Sequence, residues 1–345
     1  MLAQLSTFRR GVDNRYYSVS THANPRAKLQ RSLLYVPSSN DRMLQKSLSS
    51  PSDALIYDLE DSVAPNEKER ARSALLGFLQ SQPAEHASRT FVRLNAIDTP
   101  QFVDDITTLL KWEHLQGIVM PKIHSAGYLD KVASYVPEGR PLSIIASIES
   151  ARGLWDAGHI AGWRAGQGAG NKVTVSSLLA STPKTNLAHV LTDPFRPFAA
   201  EDYCADTHII RTKTRQELLY PRSQMATAAK AFGIQCIDMV CVNYQDTPVL
   251  RDECEEARRL GYDGKQAIHP SQVEIIQWTF VPTEKELTRA AKIVSQMAHS
   301  HASSTGAFGL DSGSGDVEMI DAPMLKQAEA TIAKAKAAGL KIPDV

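Results

Sequence analysis

Between Phe198 and Asp206 the chain reads FAAEDYCAD. A short apolar run ends at Ala200, two carboxylates stand side by side at Glu201 and Asp202, and Asp206 follows about one helical turn later. Carboxylates set where an apolar strand ends suit a hard divalent cation in a pocket mouth. The plainer reading is a charged loop or a helix N-terminus, where the dipole favours acids. The same residue types recur upstream. Asp58, Glu60 and Asp61 follow ALIY, Arg93 lies within FVRLN, Lys122 follows GIVMP, and Glu149 closes LSIIASI. An arginine inside a strand is costly unless its charge has a partner or a use. Asp58, Glu60, Asp61, Glu149, Glu201 and Asp202 make six acids against one Arg and one Lys, more than mutual pairing needs, and a divalent cation would balance the excess. The alternative is a network of ion pairs that stabilises a rim.

Bringing these groups together calls for strands whose ends meet. Short apolar runs at Ser32–Pro37, Ala54–Tyr57, Thr90–Leu94, Gly117–Met120, Leu142–Ile148, Gln235–Val242 and Lys265–Ile268 alternate with segments of helical period. About eight such alternations over about 250 residues predict parallel strands joined by crossover helices, and they fit a TIM-type (β/α)8 barrel. A doubly wound open sheet is the alternative. No GxGxxG follows the first strand, so a dinucleotide fold has no support. In a barrel, the carboxyl ends of the strands ring one mouth, and the polar residues named above fall at those ends. Beyond Thr279 an amphipathic helix runs through Met297. Residues 299–315, rich in Ser, Gly, Ala and His, read as a flexible linker, and 316–345 as a helical lid segment. The barrel itself is expected over 29–298.

Basic and acidic side chains are equal in number, 38 each, which gives no argument for nucleic acid as a partner. No apolar run is long enough to span a membrane. The four cysteines form no CxxC pair and suggest no zinc site; Cys204, beside the acids, is either a small buried residue or a reactive thiol. Residues 1–28 are rich in Arg and Ser with a single acid, Asp13, the composition of a mitochondrial presequence, and RYYS at Arg15–Ser18 suits a processing site. A matrix location is expected.

SLLYVPSSNDRML, IYDLEDSVAPNEKERAR, FVRLN, MPKI, SIESARGL, AAEDYCADT, AKAFGIQCIDMV, GYDGKQAIHPSQV and MIDAPMLKQA together resemble the citrate lyase beta subunit-like family of the aldolase/citrate lyase superfamily. The resemblance runs from about Arg31 to about Gln327, and MIDAP with the basic leader resembles its branch of mitochondrial citramalyl-CoA lyases. It implies a TIM-type barrel, a homotrimer in which a C-terminal lid completes a neighbour's site, and a CoA thioester substrate. It also implies Mg2+ held by Glu149 and Asp202, with Arg93 binding substrate and steadying negative oxygen, and Asp321 as the acid/base brought by the lid. Arg31 and Lys122 fall where the family lines its substrate and CoA cleft. The reaction implied is cleavage of citramalyl-CoA, or a related malyl-CoA, to acetyl-CoA and a 2-keto acid. A malate-synthase-like side reaction would use the same groups. A Schiff base on Lys122 is a minor alternative.

One stretch departs from the family pattern. About thirty extra residues separate SIESARGL from AAEDYCAD, an insertion at about 168–196, and TDPFRPF stands where a sixth strand is expected. Two prolines there argue against a central strand. The expectation is an insertion before strand 6, with Phe195–Ala199 serving as a short strand or with the strand damaged. The damaged case allows a non-catalytic CoA-ester-binding or assembly protein. An aldolase acting on a free keto acid is a third reading, disfavoured by Asp61, since that branch carries His near this position.

Overall fold

The computed structural model describes residues 29–166, 172–180, 201–302, 307–311 and 317–345. The expected presequence at 1–28 lies outside the described residues. Eight strands close a barrel in chain order: β1 (Ser32–Pro37), β2 (Ala54–Asp58), β3 (Thr90–Arg93), β4 (Gly117–Met120), β5 (Pro141–Ile148), β6 (Lys172–Ala180), β7 (Gln235–Asp238) and β8 (Gly264–Ala267). The α-helices are α1 (Asp41–Ser47), α2 (Lys68–Gln80), α3 (Gln101–Leu109), α4 (Ala126–Tyr135), α5 (Ala151–Trp155), α6 (Ala157–Ala161), α7 (Glu201–Thr207), α8 (Leu219–Ala231), α9 (Thr247–Arg259), α10 (Val273–Thr279), α11 (Glu284–Ala302) and α12 (Ala322–Ala337). A two-stranded antiparallel sheet of β9 (Phe308–Asp311) and β10 (Val317–Ile320) precedes α12. By packing the chain divides into two compact units. One comprises Pro37–Gln45 and Ile56–Met239; the other comprises Lys46–Leu55 and Val240–Val345, with β1 through Val36.

The strands are short, apolar runs because both of their faces are covered. Every residue of β2, β3 and β4 is buried. Parallel registers run Val92↔Ile118, Ile118↔Ile144 and Leu178↔Cys236, and Ser32↔Lys265 joins the first strand to the last. The covering helices bury one stripe each, as α3 does with Phe102, Ile106 and Leu109. The polar exceptions under α2 and α3 are paired. Arg72 Nε donates to Asp105 Oδ1 at 2.7 Å, and Asp105 Oδ2 accepts from Asn95 N at 2.9 Å and Asn95 Nδ2 at 2.6 Å. Lys68 Nζ donates to Asn95 Oδ1 at 2.7 Å and to the carbonyls of Leu59 and Glu60 at 2.7 and 2.5 Å. This chain of bonds fastens two helices to the turn that follows β2.

Strand 6 corrects the sequence reading. It is Lys172–Ala180, KVTVSSLLA, inside the stretch expected to be inserted before it. It pairs with β5 at eight positions, from Pro141↔Lys172 to Ile148↔Ala180, and with β7 from Ser177 to Leu179. The Val and Thr residues of KVTV suit a pleated surface. The two prolines at 194 and 197 are therefore no obstacle to the strand. The extra chain follows β6, and residues 181–200, which include the expected strand at Phe195–Ala199, lie outside the described residues.

Part of the stretch expected as a linker is helix and hairpin. Helix α11 continues to Ala302, and Phe308–Asp311 pairs with Val317–Ile320. Residues 303–306 and 312–316 lie outside the described residues. Leu310 and Ile320 of the hairpin pack with Ile293 and Met297 of α11 and Ala328 of α12. Hairpin and helices thus share an apolar core.

Candidate active site

In the first unit the candidate groups sit at the carboxyl ends of β2, β3, β4 and β5. Asp58 ends β2 and Arg93 ends β3; Lys122 lies two residues beyond β4, and Glu149 directly follows β5. Arg93 Nε and Nη2 donate to the two oxygens of Asp58, each at 2.7 Å. Its Nη1 lies 3.1 Å from Glu60 Oε2 and 3.6 Å from Asp61 Oδ2. Burial alone would raise the Asp58 carboxyl, but the charge and hydrogen bonds of Arg93 outweigh it and hold the group at about 2. Asp58 also accepts from the backbone N–H of Glu60 at 2.8 Å and of Ser62 at 3.0 Å, which shapes the turn carrying the other two acids.

Lys122 Nζ donates to Glu60 Oε1 at 2.5 Å. Its backbone is left-handed, with φ 51°, a strained conformation for a side chain with a Cβ. Burial raises the Glu60 carboxyl and the Asp61 charge adds to it, while Arg93 and Lys122 pull the other way.

Glu149 is 3% exposed. Among the described residues its Oε1 has no hydrogen-bond partner, and neither has the buried Oδ2 of Asp202. Burial pushes the Glu149 carboxyl up to about 8, and the charges of Glu60 and Asp202 contribute in the same sense. Glu149 and Asp202 are therefore neighbours of like charge, and the Lys122 charge offsets part of this at Glu149. Asp202 belongs to the first turn of α7, so a helix carries it rather than the end of a strand. The side chain of Glu201 lies outside the described residues. Cys204 is buried and forms no disulfide.

The turn after Glu149 is built closely. Ser150 caps α5, its side chain accepting from Gly153 N at 3.0 Å, and its hydroxyl lies 2.7 Å from His124 Nδ1. A Cβ on Gly153 would stand 2.5 Å from the carbonyl oxygen of Ile123, so glycine is what lets α5 approach the segment that carries Lys122.

Two other expected site residues lie in the second unit. Arg31 precedes β1, at the amino ends of the strands. Its Nε and Nη2 donate to Asp53 at 2.8 Å each, and Gln277 donates to the same carboxylate at 3.0 Å. That guanidinium fastens the start of β1 to the start of β2. Two of its three guanidinium nitrogens are thus held by Asp53, while a substrate contact of Arg31 stays what the family resemblance implies. Asp321 is the N-cap of α12, its Oδ1 accepting from Met324 N at 3.4 Å.

Sequence reasoning names the acids but not what they hold. It misses Asp58 as the bidentate partner of Arg93, and Lys68 under the Glu60 turn. A buried Arg at a strand end asks for a carboxylate at the same level of the adjoining strand, and Asp58 ends β2.

Among the described residues no three or more His, Cys, Asp or Glu side chains form a ligand cluster, and no helix is long and apolar enough to cross a membrane. The profile of the HpcH/HpaI aldolase/citrate lyase family matches residues 31–270. A citrate lyase subunit beta-like protein of Deinococcus radiodurans is 32% identical over 305 residues, 87% of this chain and 95% of the relative. The mitochondrial citramalyl-CoA lyase of Homo sapiens is 29% identical over 327 residues, 92% of this chain and 88% of the relative. The crystal structure of CitE from Mycobacterium tuberculosis in complex with magnesium, acetoacetate and coenzyme A is similar at a TM-score of 0.64 and 26% identity, over 90% of this chain and 98% of that one.

Proposed function

The chain belongs to the HpcH/HpaI aldolase/citrate lyase family, and on that premise we propose that it cleaves citramalyl-CoA, or a malyl-CoA-type 3-hydroxyacyl-CoA, to acetyl-CoA and a 2-keto acid. The observation that carries this reading is the buried Glu149 with the half-buried Asp202 near it, each with one buried oxygen that has no hydrogen-bond partner among the described residues. Two carboxylates fit Mg2+, which binds few protein ligands and completes an octahedral oxygen shell from water and substrate. The absence of a larger ligand cluster among the described residues agrees with such an open site. Magnesium is also present in the related CitE structure.

When bound, the cation supplies Lewis acidity and a template for the hydroxyl and carboxylate oxygens of the substrate. The remaining chemistry belongs to the chain. The substrate hydroxyl gives its proton to the Asp321 carboxylate, and the adjoining carbon–carbon bond breaks. The electron pair moves onto the thioester as an enolate, and the 2-keto acid departs. Arg93, anchored on Asp58 through two of its nitrogens, presents Nη1 to the site and steadies the enolate oxygen. Asp321 returns a proton to the enolate carbon; in the reverse direction it removes one from the acetyl methyl group. Lys122, fixed by Glu60, gives the anionic substrate a positive neighbour. A malate-synthase-like side activity would draw on the same groups. A homotrimer whose exchanged lid delivers Asp321, and import into the mitochondrial matrix directed by residues 1–28, complete the proposal; the mitochondrial lyase of Homo sapiens supports the latter.

The non-catalytic alternative drew its force from a damaged sixth strand, and β6 pairs with β5 at eight positions and with β7 at three. The decisive assay measures pyruvate or glyoxylate released from candidate thioesters with and without Mg2+. Asp202→Ala is expected to abolish Mg2+-dependent cleavage; retained turnover would sink the metal assignment.

A further inference from the structure

The two carboxylates assigned to magnesium lie on separate elements, Glu149 after β5 and Asp202 on the short helix α7. Something must set the distance between them. Asp206 is four residues beyond Asp202, so both project from one face of α7, a turn apart. Asp206 Oδ2 accepts the backbone N–H of Ala151 at 2.7 Å. Ala151 is the first residue of α5 and lies two residues beyond Glu149. Its N–H is one of the donors that a helix start leaves without an internal partner, and Ser150 already serves Gly153. One face of α7 thus meets the β5–α5 turn twice: Asp202 beside Glu149, and Asp206 on the backbone just past it.

From this we infer that Asp206 is a positioning residue for the magnesium pair, a clamp that holds α7 against the turn carrying Glu149. The inference rests on the proposed reading of Glu149 and Asp202 as ligands. The clamp is needed because the ionised pair that receives a cation is a like-charge pair, and each carboxylate works against the approach of the other. A seven-residue helix is too short to keep its place by its own hydrogen bonds. The buried Cys204 anchors its inner side, and the Asp206–Ala151 bond fixes its approach to Glu149. The same bond lets the pair stay close in the metal-free protein, so that binding needs no reorganisation.

Asp206 is exposed, so its removal is compatible with folding. The test is calorimetric titration of the full chain with MgCl2, comparing wild type, Asp206→Ala, Asp206→Asn and Asp202→Ala. Asp206→Ala is expected to weaken Mg2+ binding about tenfold or more, the usual effect of losing a group that orients a ligand. Asp206→Asn keeps an acceptor oxygen for the Ala151 N–H and is expected to stay within about threefold of wild type, a charged acceptor being roughly twice as strong as a neutral one. Wild-type affinity in Asp206→Ala, with binding lost in Asp202→Ala, overturns the clamp and leaves the ligand reading intact. Equal weakening in Asp206→Asn and Asp206→Ala also overturns it, because charge rather than the hydrogen bond would then be the cause. Unchanged binding in Asp202→Ala overturns the ligand reading, and the clamp with it.

Discussion

Replacing Glu149 by glutamine distinguishes a metal ligand from a member of a structural ion pair. In the metal-free protein burial, with the charges of Glu60 and Asp202, pushes the Glu149 carboxyl from 4.5 up to about 8. A carboxyl whose value is raised on folding gives its full contribution below the unfolded value and loses it as pH rises through the folded one. At pH 7 the unfolded chain can release this proton and the folded chain cannot, which costs wild type on the order of 3 kcal/mol relative to pH 4. The glutamine side chain of Glu149→Gln does not titrate. In EDTA at pH 7–8 the variant is therefore expected to be more stable than wild type by up to that amount, or roughly 5 °C in Tm. With Mg2+ at about 100 times its Kd, wild type gains about 2.7 kcal/mol by mass action while Glu149→Gln gains nothing, so the gap closes or inverts. The assay is thermal unfolding from pH 5 to 8 with EDTA or MgCl2. Breaking a structural buried pair would instead destabilise by about 3–5 kcal/mol in EDTA. That result, or an Mg2+-induced stabilisation equal in both proteins, would refute the reasoning.

Asp58 supplies a test with the opposite sign. Its folded value of about 2 lies below the reference of 3.8, so its stabilisation is complete above pH 4 and is lost as pH falls toward 2, on the order of 2 kcal/mol. Asp58→Asn should remove that segment of the acid-unfolding curve while also lowering turnover, since Arg93 loses its bidentate anchor; an unchanged acid midpoint would count against the pairing. In Gly153→Ala the new methyl group would stand 2.5 Å from the Ile123 carbonyl oxygen, and the resulting shift of α5 should cost about 1–3 kcal/mol in urea unfolding and weaken Mg2+ binding. Removing residues after 315 should abolish thioester cleavage, and retained turnover in that truncation would exclude a role for Asp321.

How far the sequence can be read depends on the range of the interaction concerned. Strands covered on both faces announce themselves as short apolar runs, so the barrel is legible, as is the placing of Arg93 and Glu149 at strand ends. Strand 6 is mislocated by the assumption that AAEDYCAD needs a strand immediately before it. The run KVTVSSLLA carries the strand signal, but it lies inside the segment that reads as additional. Arg31 illustrates a different gap. Its residue type and position fit a substrate-binding role, and only folding brings up the Asp53 carboxylate that takes its Nε and Nη2, with Gln277 donating to the same carboxylate. Pairings such as Lys68 with the Glu60 carbonyl have no periodic signature, since one partner is backbone.

The charge balance of the rim ties these observations together. Asp58, Glu60, Asp61, Glu149 and Asp202 face Arg93 and Lys122, and Asp58 takes two donors of Arg93 for itself. What remains is one guanidinium nitrogen, the Lys122 ammonium and the Lys68 ammonium beneath the turn for four carboxylates, which still fits a site made to receive positive charge rather than one already neutral. A fold can keep such an excess only where the backbone beneath it is held by other means. The bonds from Arg72 through Asp105, Asn95 and Lys68 do this under the β2 turn. The Ser150 cap and the close Gly153 contact do it after β5. If the excess is functional, loosening either support should weaken Mg2+ binding more than it lowers global stability. Asp105→Asn and Gly153→Ala offer independent measurements of that ratio at two places in the same unit.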